Sequence, residues 1–215
     1  ADGGRRKEVR MARLPTMDAT ETAALAIALA RQGARVLVIR NTVTQAVATF
    51  DAVIAAAGGA LLMQAENGPA LHHSRFAVED RALLDRAVET LLMPRKDRPA
   101  RGSIAIGSQT LEQSLDICSD YMISDLCPVD VLLQRLGRLH RHDLPRPEGF
   151  EVPQCLVLCP EEGLDPLVKP AFVNGLGAWS PKDGTIQGIY LDLACLSLPE
   201  GLIRDHPIWT IPQMN

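Results

Sequence analysis

Four short apolar runs, at residues 35–40, 103–107, 121–124 and 154–159, constrain the fold more than any other feature of the chain. Each stays apolar through its middle instead of alternating with polar residues, which marks a strand covered on both faces. Segments with apolar residues at helical spacing lie between them. Asp18 and Glu21 make a capping-box-like start for a helix that ends at Gly33. Thr42 and Gln45 repeat that start ahead of one apolar face, Ala46, Val47, Phe50, Val53, Ile54 and Ala57, which stops at Gly58 and Gly59. Residues 71–76 read as a short strand or a strand exit, and 77–92 as a helix burying Leu84, Val88 and Leu91. Pro128 fits the first turn of a helix running through Val131, Leu132, Arg135 and Arg138. Strands alternating with helices give an α/β fold of three layers, a mainly parallel sheet between helices. Sites in such sheets lie beyond the carboxyl ends of the strands. From 160 onward the pattern becomes an irregular C-terminal extension rich in Pro and Gly, with order suggested only over 186–193.

Composition narrows the function classes. With 47% hydrophobic residues in 215, the chain can bury a core that offsets its ordering entropy. A net charge of −4 supplies no global positive field, so any nucleic-acid site must be local. The longest purely apolar run, 23–30, is too short to span a bilayer, and Asp18 and Glu21 interrupt what would otherwise imitate a basic leader. These features predict a cytoplasmic chain with no membrane partner. The five cysteines are an odd number and read as reduced thiols; Cys155 and Cys159 bracket a buried strand, so no metal site is expected. The chain starts at Ala1 and stops at Asn215 without a terminating pattern, which reads as a fragment. It contains no G-x-x-x-x-G-K-[ST], G-x-S-x-G or H-E-x-x-H, and Gly175-Leu-Gly177 reads as a loop. His140 and His142, two residues apart, read as surface histidines.

The informative stretch is 134–141, where Arg135, Arg138 and Arg141 recur every third residue and no acidic residue lies between 131 and 142. Guanidinium forks match phosphate oxygens, and Gly137 lets a backbone or ligand come close. Spacing alone leaves two readings open, a phosphate site and a solvated helix face.

Gln134-Arg-Leu-Gly-Arg-Leu-His-Arg141 resembles motif VI of superfamily-two helicases. In the same order, Val38-Ile-Arg-Asn-Thr42, His73-Ser-Arg-Phe76, and Ser108 to Asp116 followed by Ile123 to Asp130 resemble motifs IV, IVa and V of the CRISPR-associated helicase-nuclease of type I systems. The resemblance covers about residues 16–160. It implies a RecA-like helicase C-terminal domain over 16–160, preceded by a lead-in segment or linker (1–15) and followed by the extension (161–215). It implies the second motor lobe of an ATP-driven translocase on single-stranded DNA. In that family ATP and Mg²⁺ are held mainly by a first RecA-like domain, and a separate histidine-aspartate domain or subunit is the nuclease. The implied partners are those two, single-stranded DNA, and a CRISPR surveillance complex with its guide RNA.

Roles implied by the motifs follow residue by residue. Arg138 and Arg141 resemble arginine fingers for the γ-phosphate. Gln134 is the implied water-orienting or phosphate-sensing amide, against a bland reading as a helix-surface amide. Asp116 resembles the acidic residue near the nucleotide ribose, with a cap or turn as its alternative, and Gly137 accompanies it on the nucleotide side. Arg75, Ser108 and Thr42 are implied DNA-backbone contacts, Thr42 also being explained by its capping role. Arg135 is expected to pair with Glu112 or Asp130, and His72 and His73 to pack beside a strand. Competing readings are another superfamily-two translocase and a non-catalytic interaction module for nucleic acid or protein.

Overall fold

The computed structural model describes residues 6–94, 101–112, 115–169, 171–178 and 188–212. Their elements run β1 (Arg6–Leu14), α1 (Ala19–Arg31), β2 (Arg35–Ile39), α2 (Val43–Ala55), β3 (Gln64–Ala65), β4 (Gly68–Pro69), α3 (Val78–Leu92), β5 (Ser103–Gly107), β6 (Tyr121–Asp125), α4 (Val129–Leu136), β7 (Gln154–Leu158), α5 (Leu193–Asp205) and β8 (Ile208–Pro212). The six-stranded sheet has the order β5-β2-β6-β7-β1-β8, and β3-β4 is a separate small hairpin. All neighbours in the large sheet are parallel except β1 and β8.

Side-chain alternation assigns the two faces. Val36 and Val38 of β2 join Ile104, Ile106 and Leu156 in one core against Ala26 and Ile27 of α1 and Val53 of α2. Leu37 and Ile39 join Met122, Cys155 and Val157 in the other, against Val88 of α3, Leu136 of α4 and Leu196 of α5. This is the expected three-layer α/β architecture with a mainly parallel sheet. Asp18 caps α1 by accepting from the Thr20 and Glu21 amides at 2.8 and 2.9 Å. The Asp18 carboxylate and the Ala26, Ile27 and Ala30 face carry both the start and the burial of that helix.

Four expectations need correction. The described part of the expected lead-in, from Arg6 on, is more than a linker: β1 is a nine-residue strand inside the sheet, with Lys7, Val9 and Met11 buried and Arg6, Glu8 and Arg10 exposed. The extension is not irregular throughout, because α5 packs on the sheet and β8 pairs antiparallel with β1. Its expected order over 186–193 falls partly on residues outside those described, and Leu193 opens α5. Residues 71–76 form no strand; His72 makes a single parallel bridge with Gly107. α4 stops at Leu136 with Gly137 as its cap, so the expected run through Arg138 fails and Arg138 and Arg141 lie on the turn beyond it.

The chain leaves β2 for the edge strand β5 and returns to β6 on the other side of β2. The carboxyl ends of β2 and β6 therefore flank a topological switch point, where α/β sheets place their sites.

Candidate nucleotide-facing site

The switch point is packed with buried charge. Arg40, at the end of β2, and Asp125, at the end of β6, are both fully buried and pair through Nε and Oδ1 at 3.0 Å. Arg40 donates further to Thr49 Oγ1 and the Met17 carbonyl, each at 2.7 Å. Asp125 also accepts from the Asn41 amide at 2.7 Å and from the side-chain amide of Asn174. Arg135 completes the cluster from α4. Its guanidinium donates to Glu112 Oε1 and Ser124 Oγ at 2.8 Å and to Asn41 Oδ1 at 3.2 Å. Burial alone would push the Glu112 carboxyl up, and Arg135 opposes that shift. Of its two expected partners Arg135 takes Glu112. It is a structural ion, and the lack of acids over 131–142 did not leave it unpaired.

The next turn presents the remaining motif residues. Gln134, Gly137, Arg138 and Arg141 line one cleft of about 270 Å³ together with Glu112, Leu115 and Asp116. Gly137 has ordinary right-handed dihedrals, φ −59° and ψ −18°, so the backbone places no demand for glycine there. Arg138 donates to the carbonyls of Leu115 and Glu112 at 2.8 and 3.0 Å, while its buried Nε has no hydrogen-bond partner. Burial, then the neighbouring Arg141, hold the Arg138 pKa below the usual guanidinium value. Both causes disfavour its cation, and the charge of an anion in the cleft would offset them. Asp116 is exposed, forms an ion pair with Arg141 (Nε to Oδ1, 3.1 Å) and accepts a hydrogen bond from His142 Nε2 at 2.9 Å. The cleft thus gathers all five residues implied for the nucleotide side.

Several groups that hold this turn escaped the sequence reading. Lys7 Nζ donates to the carbonyls of Leu136 and Leu139. Arg146 pairs with the buried Asp120 at 2.8 Å, and Asp120 accepts the Arg35 amide at 2.8 Å. His140 is not a surface residue. It is buried with φ 45°, and its Nε2 donates to the Asp120 carbonyl at 3.1 Å, which fixes the Nε2–H tautomer. Burial, with Arg146 beside it, pushes the imidazole down to about 4 from 6.5. Its folded pKa is depressed, so the unfolded chain takes up the proton first as the medium acidifies. His140 therefore contributes stability that is present above pH 6.5 and lost as pH falls towards about 4. At about 1.4 kcal/mol per unit, the whole loss is on the order of 3 kcal/mol. His140→Asn, which tolerates the left-handed backbone, is expected to flatten this acid limb in thermal melts between pH 7 and pH 4.5, each about that value.

The three implied DNA contacts lie on neighbouring turns but differ in access. Arg75 is exposed on the turn after His73, which stacks on Phe76 at 4.2 Å. His72 and His73 are both buried, as expected. The His72 carbonyl accepts from the Ser108 amide at 3.1 Å, which joins that turn to the end of β5. Ser108 itself is 1% exposed and its hydroxyl has no hydrogen-bond partner. Thr42 caps α2 by accepting from Gln45 and donates to Asn174 Oδ1 at 3.0 Å. Asn174 (φ 45°) and Gly175 (φ 83°) form the tip of a tight turn between Val173 and Leu176, and that tip covers Thr42. Of the three, Arg75 is exposed, Thr42 half-buried and Ser108 buried.

The structure is an α/β lobe, a mainly parallel sheet between helices with an arginine-lined cleft beside α4. Residues 32–144 match the family of the CRISPR-associated nuclease/helicase Cas3, C-terminal, and the chain belongs to that family. The chain is 33% identical over 174 residues to a putative CRISPR-associated nuclease/helicase Cas3 of Myxococcus xanthus, covering 80% of this chain and 21% of that one. It is 46% identical over 92 residues to the CRISPR-associated endonuclease/helicase Cas3 of Thermus thermophilus, covering 43% of this chain and 10% of the relative. The crystal structure of T. fusca Cas3-AMPPNP matches 99% of this chain and 23% of its own with a TM-score of 0.69 at 29% identity. The chain thus spans about a tenth to a fifth of its curated relatives. No helix among the described residues is long and apolar enough to cross a membrane.

Proposed function

We propose that this chain is the second motor lobe of an ATP-dependent single-stranded DNA translocase in CRISPR interference. The observation that supports this reading best is the convergence of Gln134, Arg138, Arg141 and Asp116 on one cleft beside α4. Nucleotide and Mg²⁺ are held mainly by a first RecA-like domain, which presents the γ-phosphate to this cleft. Arg138 and Arg141 then neutralise charge as it spreads over the transferring phosphoryl group, Gln134 orients the attacking water, and Asp116 lies near the ribose. Such guanidinium contacts are worth about 10³ to 10⁵ in rate, or roughly 4 to 7 kcal/mol.

Arg75, Ser108 and Thr42 grip the DNA backbone without reading sequence. Arg75 is available as the chain stands, Thr42 is half-buried beside Asn174, and Ser108 becomes available only when its cover moves. The further partners are the surveillance complex with its guide RNA and the histidine-aspartate nuclease. Fingers without a phosphate delivered to them do nothing. The 215 residues alone are therefore expected to hydrolyse ATP at background rate with or without single-stranded DNA. Measurable DNA-stimulated turnover by this chain would refute the half-site reading.

A further inference from the structure

We propose that Lys7, on β1, is a positioning residue for the arginine turn, fixing the direction in which Arg138 and Arg141 project. The inference rests on the proposed role of those arginines as fingers. Lys7 Nζ donates to the carbonyl of Leu136, the last residue of α4, at 2.8 Å and to that of Leu139. These carbonyls bracket Gly137 and Arg138, so one ammonium holds both sides of the turn from which the Arg138 side chain leaves. The carbonyls at a helix C-terminus lack intrahelical partners and carry the negative end of the helix dipole, which suits a cation. From the opposite side, the Ser119 amide donates to the Arg138 carbonyl and the His140 amide to the Ser119 carbonyl, each at 3.0 Å. The turn cannot swing without breaking one set or the other.

Stability alone does not explain an ammonium at this position. Lys7 is only 9% exposed, and burial pulls its pKa down from 10.5 to about 8. An apolar side chain of similar volume would serve a core as well or better. The charged and titratable groups facing it are the Cys118 thiol, which favours its charge, and Arg146 and Arg141, which oppose it. His140 also faces it, held neutral at neutral pH by burial, with Arg146 next in effect. A cation kept among cations and a buried thiol is held there for its two directed bonds.

The test uses the full-length protein carrying both lobes. Steady-state ATPase at saturating ATP and single-stranded DNA, nucleotide affinity and the folded fraction are measured for wild type, Lys7→Met and Lys7→Arg, with Arg138→Lys alongside. A displacement of about 1 Å at a catalytic group costs up to about a hundredfold. Lys7→Met is accordingly expected to lower kcat at least about tenfold per folded molecule, with nucleotide affinity within about twofold, and Lys7→Arg to recover most of it. Wild-type kcat should fall as pH rises through about 8 and the Lys7 charge is lost, a limb that Lys7→Arg lacks. Unfolding would not produce that limb, because a folded pKa below the unfolded 10.5 makes this group's contribution to stability rise over the same interval.

Wild-type kcat in folded Lys7→Met, or an alkaline limb identical in wild type and Lys7→Arg, overturns the proposal. If Lys7→Met does not fold, the pH comparison decides alone. A wild-type rate for Arg138→Lys would instead remove the finger reading beneath it, whatever Lys7 does.

Discussion

Arg138→Lys or Arg141→Lys in the intact protein is expected to lower steady-state ATP turnover at least about a hundredfold while changing nucleotide affinity little. Lysine keeps the charge and loses the planar fork. Two arms of the Arg138 guanidinium are already committed to the carbonyls of Leu115 and Glu112, which orient the plane and leave its other N–H groups for a phosphate. A lysine ammonium at that position has one point of attachment and no plane to orient. Arg141 is steered by Asp116, and an ammonium there would satisfy the carboxylate without presenting a second donor edge. Nucleotide affinity should hold, because most binding energy is assigned to the first domain. Parallel measurement of ATPase rate and nucleotide binding checks the split, and near wild-type turnover in both variants would mark the cluster as a docking surface.

The second large effect concerns stability. Arg135→Leu is expected to destabilise the fold by roughly 3 to 5 kcal/mol, because it leaves the largely buried Glu112 carboxylate, 10% exposed, without its partner. It also strips Ser124 and Asn41 of a donor. Removing both ions, in Arg135→Leu with Glu112→Leu, should cost less than removing Arg135 alone. The loss should shrink as pH falls, since Glu112 already has its carboxyl pushed up by burial and sheds its charge on protonation. Thermal melts of the three variants at neutral and mildly acidic pH check both statements. Arg135→Lys belongs with these variants, since a lysine cannot reach Glu112, Ser124 and Asn41 together. The shared three-residue spacing of Arg135, Arg138 and Arg141 therefore conceals two different jobs.

Much of this was legible in the sequence. The apolar runs of β2, β5, β6 and β7 are short, uninterrupted and bounded by polar residues, a pattern that only doubly covered strands require. β1 hid behind its charge: Arg6, Lys7, Glu8 and Arg10 look like a solvated lead-in, yet Lys7, Val9 and Met11 alternate onto the buried face. One period-two reading of 6–14 would have found the strand. The motif arginines were visible as a cluster, but their partition was not, because Glu112 lies 23 residues from Arg135 and Asp125 lies 85 from Arg40. Pairings of that separation follow from the sheet order and leave no local trace. Burial of Ser108 and His140 escaped for a related reason, since short polar residues after a strand or helix look the same whether a later segment covers them or not.

The central claim is that Arg138 and Arg141 contact the phosphoryl group only while it is being transferred. The most direct measurement is the affinity of the full-length protein, with single-stranded DNA, for ADP plus aluminium fluoride against a non-hydrolysable ATP analogue. Arg138→Lys and Arg141→Lys should each weaken binding of the transition-state mimic by at least about a hundredfold and that of the ground-state analogue by less than about threefold. Equal effects on the two ligands, or none on either, would contradict the account.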